Sequence, residues 1–180
     1  MSWAIFNKEQ QIALDELEDI ESPPSDRVLA IVSAALLEES LFRALDIRLR
    51  QNTNVKDKAF KMTGILGNLG AKIDVAYLLY MFEKPTRQSM EAIAGIRNFF
   101  AHNLVANFDS EDEKLRAHLK NLKLHEGKTY YPNPFIRGDS DQRIENVKTS
   151  REALIVNLKL CLFELLADVS RHQHGSNLPL

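Results

Sequence analysis

Arg97-Asn98-Phe99-Phe100-Ala101-His102 gathers a guanidinium, an amide and an imidazole near the end of an apolar-periodic helix. Neighbours in a helix advance by about 100°, so Asn98 and His102, four apart, share a face that Arg97 flanks. A fixed positive charge beside an imidazole can hold a phosphate and move a proton near neutral pH. RNA cleavage by transesterification needs such groups and no metal. A base takes the 2′-hydroxyl proton, a cation stabilises the phosphorane charge, and an acid protonates the leaving oxygen. His102 suits the base or the acid, Arg97 the phosphate, and Asn98 the imidazole or the ribose. One histidine does not readily do both jobs, so a pair of sites across a two-fold dimer axis would complete the set. The same residues also fit a helix C-terminus that sets cationic side chains against the macrodipole. Spacing alone leaves both readings open.

A second polar group lies on the long helical stretch upstream. Glu39, Arg43 and Asp46 fall within about 60° of one another, on the side of Val28, Val32 and Ala35. Glu39 and Arg43 are i,i+4 partners in the favourable order, a helical salt bridge worth about 0.3 kcal/mol. Alternatively, Glu39, with Arg43 beside it, orients Arg97 or His102 from a neighbouring helix. The basic run Lys114, Arg116, His118, Lys120, Lys123, His125 and Lys128 is diluted by Glu111, Asp112, Glu113 and Glu126, which reads as a solvated face. His172 and His174 lack a partner spaced to complete a metal site. Gly64, Gly67 and Gly70 neither follow a strand nor precede a GKS or GKT, so they read as shapers of a tight connection. GxSxG, HExxH and Walker motifs are absent from the sequence. No metal or cofactor is expected.

The elements that must position these residues are helical. Residues 7–21 form a modest amphipathic helix, and Ser22-Pro23-Pro24 ends it, leaving Ser25 or Asp26 to cap the next. From 26 to 51 neither glycine nor proline interrupts a pattern apolar nearly all round, the mark of a central buried helix. Further helices are expected at 71–83, at 86–102 with Thr86 as cap after Pro85, and at 114–124 behind a Ser110–Glu113 capping box. A last helix spans 151–171, with 172–180 as a frayed tail. Residues 125–150 break every period, and Tyr130-Tyr131 with Pro134-Phe135-Ile136 suggest a short hairpin-like excursion. The expected fold is therefore all-α: a single-domain helical bundle around 26–51. Its core should hold Leu29, Val32, Leu36, Leu45, Leu78, Ile93, Ile96, Phe100, Leu158 and Leu162.

With 180 residues the chain is long enough for a sizeable core, and 44% hydrophobic with 27% charged residues is ordinary for a soluble domain. A net charge of −2 makes the whole chain no electrostatic magnet for nucleic acid. Cys161, the single cysteine, sits in an apolar run and reads as core filler, which fits a reducing cytoplasm. The first residues lack a basic stretch followed by an apolar one, so no signal peptide is expected, and no run is long enough to span a membrane.

Arg97-Asn98-x-x-x-His102, on a helix after two long ones, resembles the HEPN superfamily of all-α bundles. Three blocks, Leu36-Leu37-Glu38-Glu39-Ser40-Leu41, Gly70-Ala71-Lys72-Ile73-Asp74-Val75-Ala76-Tyr77 and Ile96 to His102, are together similar to the mannitol-operon repressor (MltR-like) family. They span roughly 36–103; the flanks 1–24 and 125–150 carry no resemblance. The resemblance implies a helical homodimer without a helix-turn-helix, working in transcription regulation through a protein partner rather than by reading DNA bases. It also implies an alternative, because many HEPN relatives are metal-independent endoribonucleases acting on RNA. Arg97 and His102 would then be catalytic, with Asn98 the adjacent polar residue.

Overall fold

Ser25 accepts a hydrogen bond from the Val28 amide at 3.3 Å and starts the longest uninterrupted apolar pattern, the helix Asp26–Arg48. The computed structural model describes residues 7–19, 22–49, 51–128, 130–132, 141–143 and 147–175. In chain order the elements are α1 (Lys8–Leu17), α2 (Asp26–Arg48), α3 (Thr53–Phe60), α4 (Leu69–Leu78), α5 (Lys84–His102), α6 (Glu113–Leu119), β1 (Tyr130–Pro132), β2 (Asp141–Arg143) and α7 (Ser150–Gly175). The fold is an all-α bundle. Its one departure among the described residues is the antiparallel β1–β2 ladder, in which Tyr131 faces Gln142. Half of the expected hairpin, Tyr130-Tyr131, is thus in place. Its proposed partner Pro134-Phe135-Ile136 lies outside the described residues, and Asp141–Arg143 pairs instead.

Helix α2 is central: α1, α4, α5 and α7 all pack on it, and α6 packs on α5. One apolar cluster fills the bundle, including Leu29, Leu36, Leu45, Ile93, Ile96, Phe100, Leu158 and Leu162 as expected, and Cys161 as core filler. Burial raises the Cys161 thiol far above its ordinary range, so it stays protonated. Two core assignments change. Val32 is only half-buried at the edge of the cluster, and Leu78 is 72% exposed. Helix α4 ends at Leu78, and Tyr80 takes a left-handed turn at φ 57°. That reversal sends Met81 and Phe82 into the core in place of Leu78.

The outer face of α2 also differs from an all-round buried helix. Leu37, Leu41 and Ala44 are buried, whereas Val28, Ile31 and Ala35 are exposed, because nothing packs over that stripe among the described residues.

Several termini move for identifiable reasons. Pro85 does not merely end the preceding helix. It occupies the first turn of α5, where its missing N–H costs nothing, and Glu83 rather than Thr86 is the cap residue. Asp112, not Ser110, caps α6, accepting from the Lys114 amide at 2.9 Å. Helix α7 begins with a reciprocal cap: the Thr149 hydroxyl accepts from the Glu152 amide at 3.1 Å. The Glu152 carboxylate in turn accepts from the Lys148 and Thr149 amides at 2.7 and 2.9 Å. It also runs on to Gly175, so His172 is helical rather than part of a frayed tail; residues 176–180 lie outside the described residues.

Two polar anchors tie the helices together, one at each end. Asn157, fully buried on α7, accepts at Oδ1 from the Leu124 amide (2.9 Å) and the Ser89 hydroxyl (3.1 Å), and its Nδ2 faces His125 Nδ1 at 2.8 Å. At the other end, Arg48 bonds the Leu79 carbonyl at 2.9 Å and Asp168 at 3.4 Å, joining the ends of α2, α4 and α7.

Candidate functional site

The apolar stripe of α5 (Ile93, Ile96, Phe100) turns into the core and thereby points Asn98 and His102 outward. The last turn is closed by Asn103, whose amide and side-chain nitrogens both donate to the Phe99 carbonyl, at 3.0 and 2.8 Å. Arg97, Asn98 and His102 are all exposed. Arg97 Nη1 donates to Asn98 Oδ1 at 2.9 Å and forms no ion pair among the described residues.

Five residues along a helix amount to about 140° of rotation. Arg97 therefore leans toward α2 and α4, His102 leans the other way, and Asn98 stands between them. The Gly95 edge of α5 is closed by α6, where the His118 ring lies so near that a Cβ on Gly95 would collide with it. One chain thus bonds Arg97 to Asn98, while His102 stands one turn beyond Asn98 on the same face and outside the cleft that Arg97 and Asn98 line.

Arg97 and Asn98 form one wall of a cleft of about 510 Å³. Ile31 and Glu38 of α2 form the second wall, and the start of α4, Asn68 to Gly70, forms the third. The glycines upstream create that third wall. The Gly64 amide donates to the Lys61 carbonyl at 2.7 Å and the Leu66 amide to the Ala59 carbonyl at 2.8 Å, a double reversal tight enough to bury Leu66. A Cβ on Gly64 would collide with the Lys58 and Ala59 carbonyl oxygens, and one on Gly67 with those of Lys61 and Met62. Asn68 then caps α4, accepting from the Ala71 amide at 2.9 Å. The structural reading thus holds for Gly64 and Gly67, whereas Gly70 lies in the first turn of α4 with room for a Cβ, and the short helix α3 is added ahead of them.

Glu39 and Arg43 stand elsewhere. Arg43 Nε donates to Glu39 Oε1 at 2.7 Å, the plain helical salt bridge, and neither residue lines the cleft. Asp46 is taken by Lys56 of α3. The carboxylate that does reach the cleft is Glu38, held at 2.7 Å by the buried Lys72 of α4. Sequence reasoning passed over this pair. Its trace is a lysine within the apolar run of α4, which needs a carboxylate to accompany it inward.

The basic run does not assemble one face. Arg116 pairs with Glu111 at 2.5 Å, His118 covers Gly95, and His125 meets Asn157. His172 lies on α7, the His174 side chain is outside the described residues, and no cluster able to hold a metal occurs among the described residues. No described helix is long and apolar enough to cross a membrane. No family model, curated protein or solved structure matches the chain.

Proposed function

We propose that this chain is a regulatory helical module of the mannitol-operon-repressor type, acting as a homodimer that engages a protein partner rather than reading DNA bases. One observation carries this reading: the outer stripe of α2, where Val28 is 46% and Ile31 38% exposed and Ala35 is open beside them. Singly exposed apolar residues are ordinary; a contiguous stripe on the central helix suits a protein interface. Leu104 and Val105, 75% and 97% exposed, add apolar surface on the loop that leaves α5 and reaches the start of α2, where the Phe108 amide bonds Asp26 at 3.0 Å. Sedimentation of the wild type against Ile31→Asp tests it. A dimer that becomes a folded monomer on substitution is expected; a wild-type monomer rejects the reading.

The ribonuclease alternative retains a specific support. Arg97, Asn98 and His102 are exposed, and no carboxylate of the described residues neutralises Arg97. With one histidine per site for two proton transfers, a composite site would need the second copy to supply the missing group. An RNase assay in EDTA on total tRNA and mRNA, with Arg97→Ala and His102→Ala shown folded by circular dichroism, separates the two. Cleavage lost in both variants establishes the enzyme. No cleavage by any of the three leaves the regulatory module.

A further inference from the structure

We infer that the cleft between α2, α4 and α5 binds a small phosphorylated molecule, one per chain, with Arg97 and Asn98 as the residues that hold the phosphoryl group. A volume of about 510 Å³ suits a small ligand. The decisive feature is the imbalance between donors and acceptors on its walls. Arg97 spends one guanidinium nitrogen on Asn98 Oδ1, which leaves the rest of its fork to donate. Because Asn98 Oδ1 is the acceptor of that bond, the free end of its amide is the NH₂ group, a donor.

Charge points the same way. Glu38, the carboxylate on the walls, is neutralised by Lys72, so the cleft carries the uncompensated positive charge of Arg97. An anion with many acceptor oxygens satisfies such a set, and a phosphoryl group offers more of them than a carboxylate does. Arg97 matches its oxygens in a bidentate fork. Leu69 and Ala94 supply apolar surface for the rest of the molecule. His102, turned away from the cleft, takes no part, so this is binding without cleavage and goes beyond the dimerisation proposed above.

Isothermal titration of the full chain with sodium pyrophosphate, and separately with succinate at matched ionic strength, tests the assignment. Expected is saturable pyrophosphate binding near one per chain, with succinate weaker. Arg97→Ala should weaken pyrophosphate by about tenfold or more. Asn98→Ala, at an exposed position where the donor amide is lost, should do likewise without unfolding the chain, as circular dichroism would check. Arg116→Ala, engaged with Glu111, serves as the unchanged control. Absence of pyrophosphate binding, equal binding by Arg97→Ala, or succinate binding as tightly would each overturn the proposal. Sedimentation of the same variants reads the dimer separately.

Discussion

Lys72 on α4 and Glu38 on α2 form an ion pair in which the cation is the buried member: its side chain is 7% exposed against 38% for the carboxylate. The two halves are therefore unequal under mutation. Glu38→Ala strands a buried ammonium and should cost about 2 kcal/mol, the cost of breaking a buried pair reduced for the exposure of the lost carboxylate. Lys72→Met leaves only a half-exposed carboxylate and should cost less than about 1 kcal/mol. Urea unfolding of the two variants reads the asymmetry.

Asn157→Ala should be the most damaging of the polar substitutions, at about 3 kcal/mol. It strips partners at once from the Leu124 amide, the Ser89 hydroxyl and the Leu122 and Ala153 carbonyls. Hydrogen exchange should show the Leu124 amide losing protection before the amides of α2. Uniform loss across both would mean that Asn157 supports the whole bundle rather than this turn.

Gly95→Ala should lose about 1 kcal/mol by overpacking against the His118 ring. His118→Ala in the same chain should return most of it, because the obstacle is a side chain and not backbone. A double-mutant cycle measures the coupling. Additive losses would place the strain elsewhere.

Two carboxylates give opposite slopes of stability with pH. Hydrogen bonds from the Lys148 and Thr149 amides hold Glu152 below its ordinary value of about 4.5. A lowered native pKa contributes stability above the unfolded value and loses it as pH falls through the native one. Glu152→Gln should thus flatten the loss of stability below about pH 4.5. Burial raises Asp168 despite Arg48, so the native state holds that proton to higher pH than the unfolded chain does, and stability declines as pH rises above about 3.8. Asp168→Asn should remove that decline. Urea midpoints across the acid range check both signs.

What the sequence disclosed depended on whether a position had a period behind it. Ile93, Ile96 and Phe100 repeat at helical spacing with Glu91, Asn98 and His102 on the opposite face, so their burial was legible, and so was the outward turn of Asn98 and His102. The run from Ile73 to Phe82 is almost wholly apolar and holds no such contrast. Which of Leu78, Met81 and Phe82 enters the core is settled by the left-handed turn at Tyr80, a conformation that a tyrosine, unlike an asparagine or an aspartate, does not announce. Glu38 and Glu39 are neighbours about 100° apart. Their division of labour follows from where Lys72 arrives on another helix, which local spacing does not encode. The angle between Arg97 and His102, by contrast, was already present in their separation of five.

Asp26, in the first turn of α2, accepts from the Phe108 amide at one oxygen (3.0 Å) and from Arg151 at the other (2.7 Å). The chain therefore departs from and returns to a single carboxylate, with α6 and the β1–β2 ladder strung between. Closing a loop grows costlier only with the logarithm of its length, about 0.6 kcal/mol for each doubling. With both ends moored to one side chain, added residues between β1 and β2 would lengthen the excursion without shifting α2, α5 or α7. The bundle offers there a place where sequence can grow while the helices that frame the cleft stay in register.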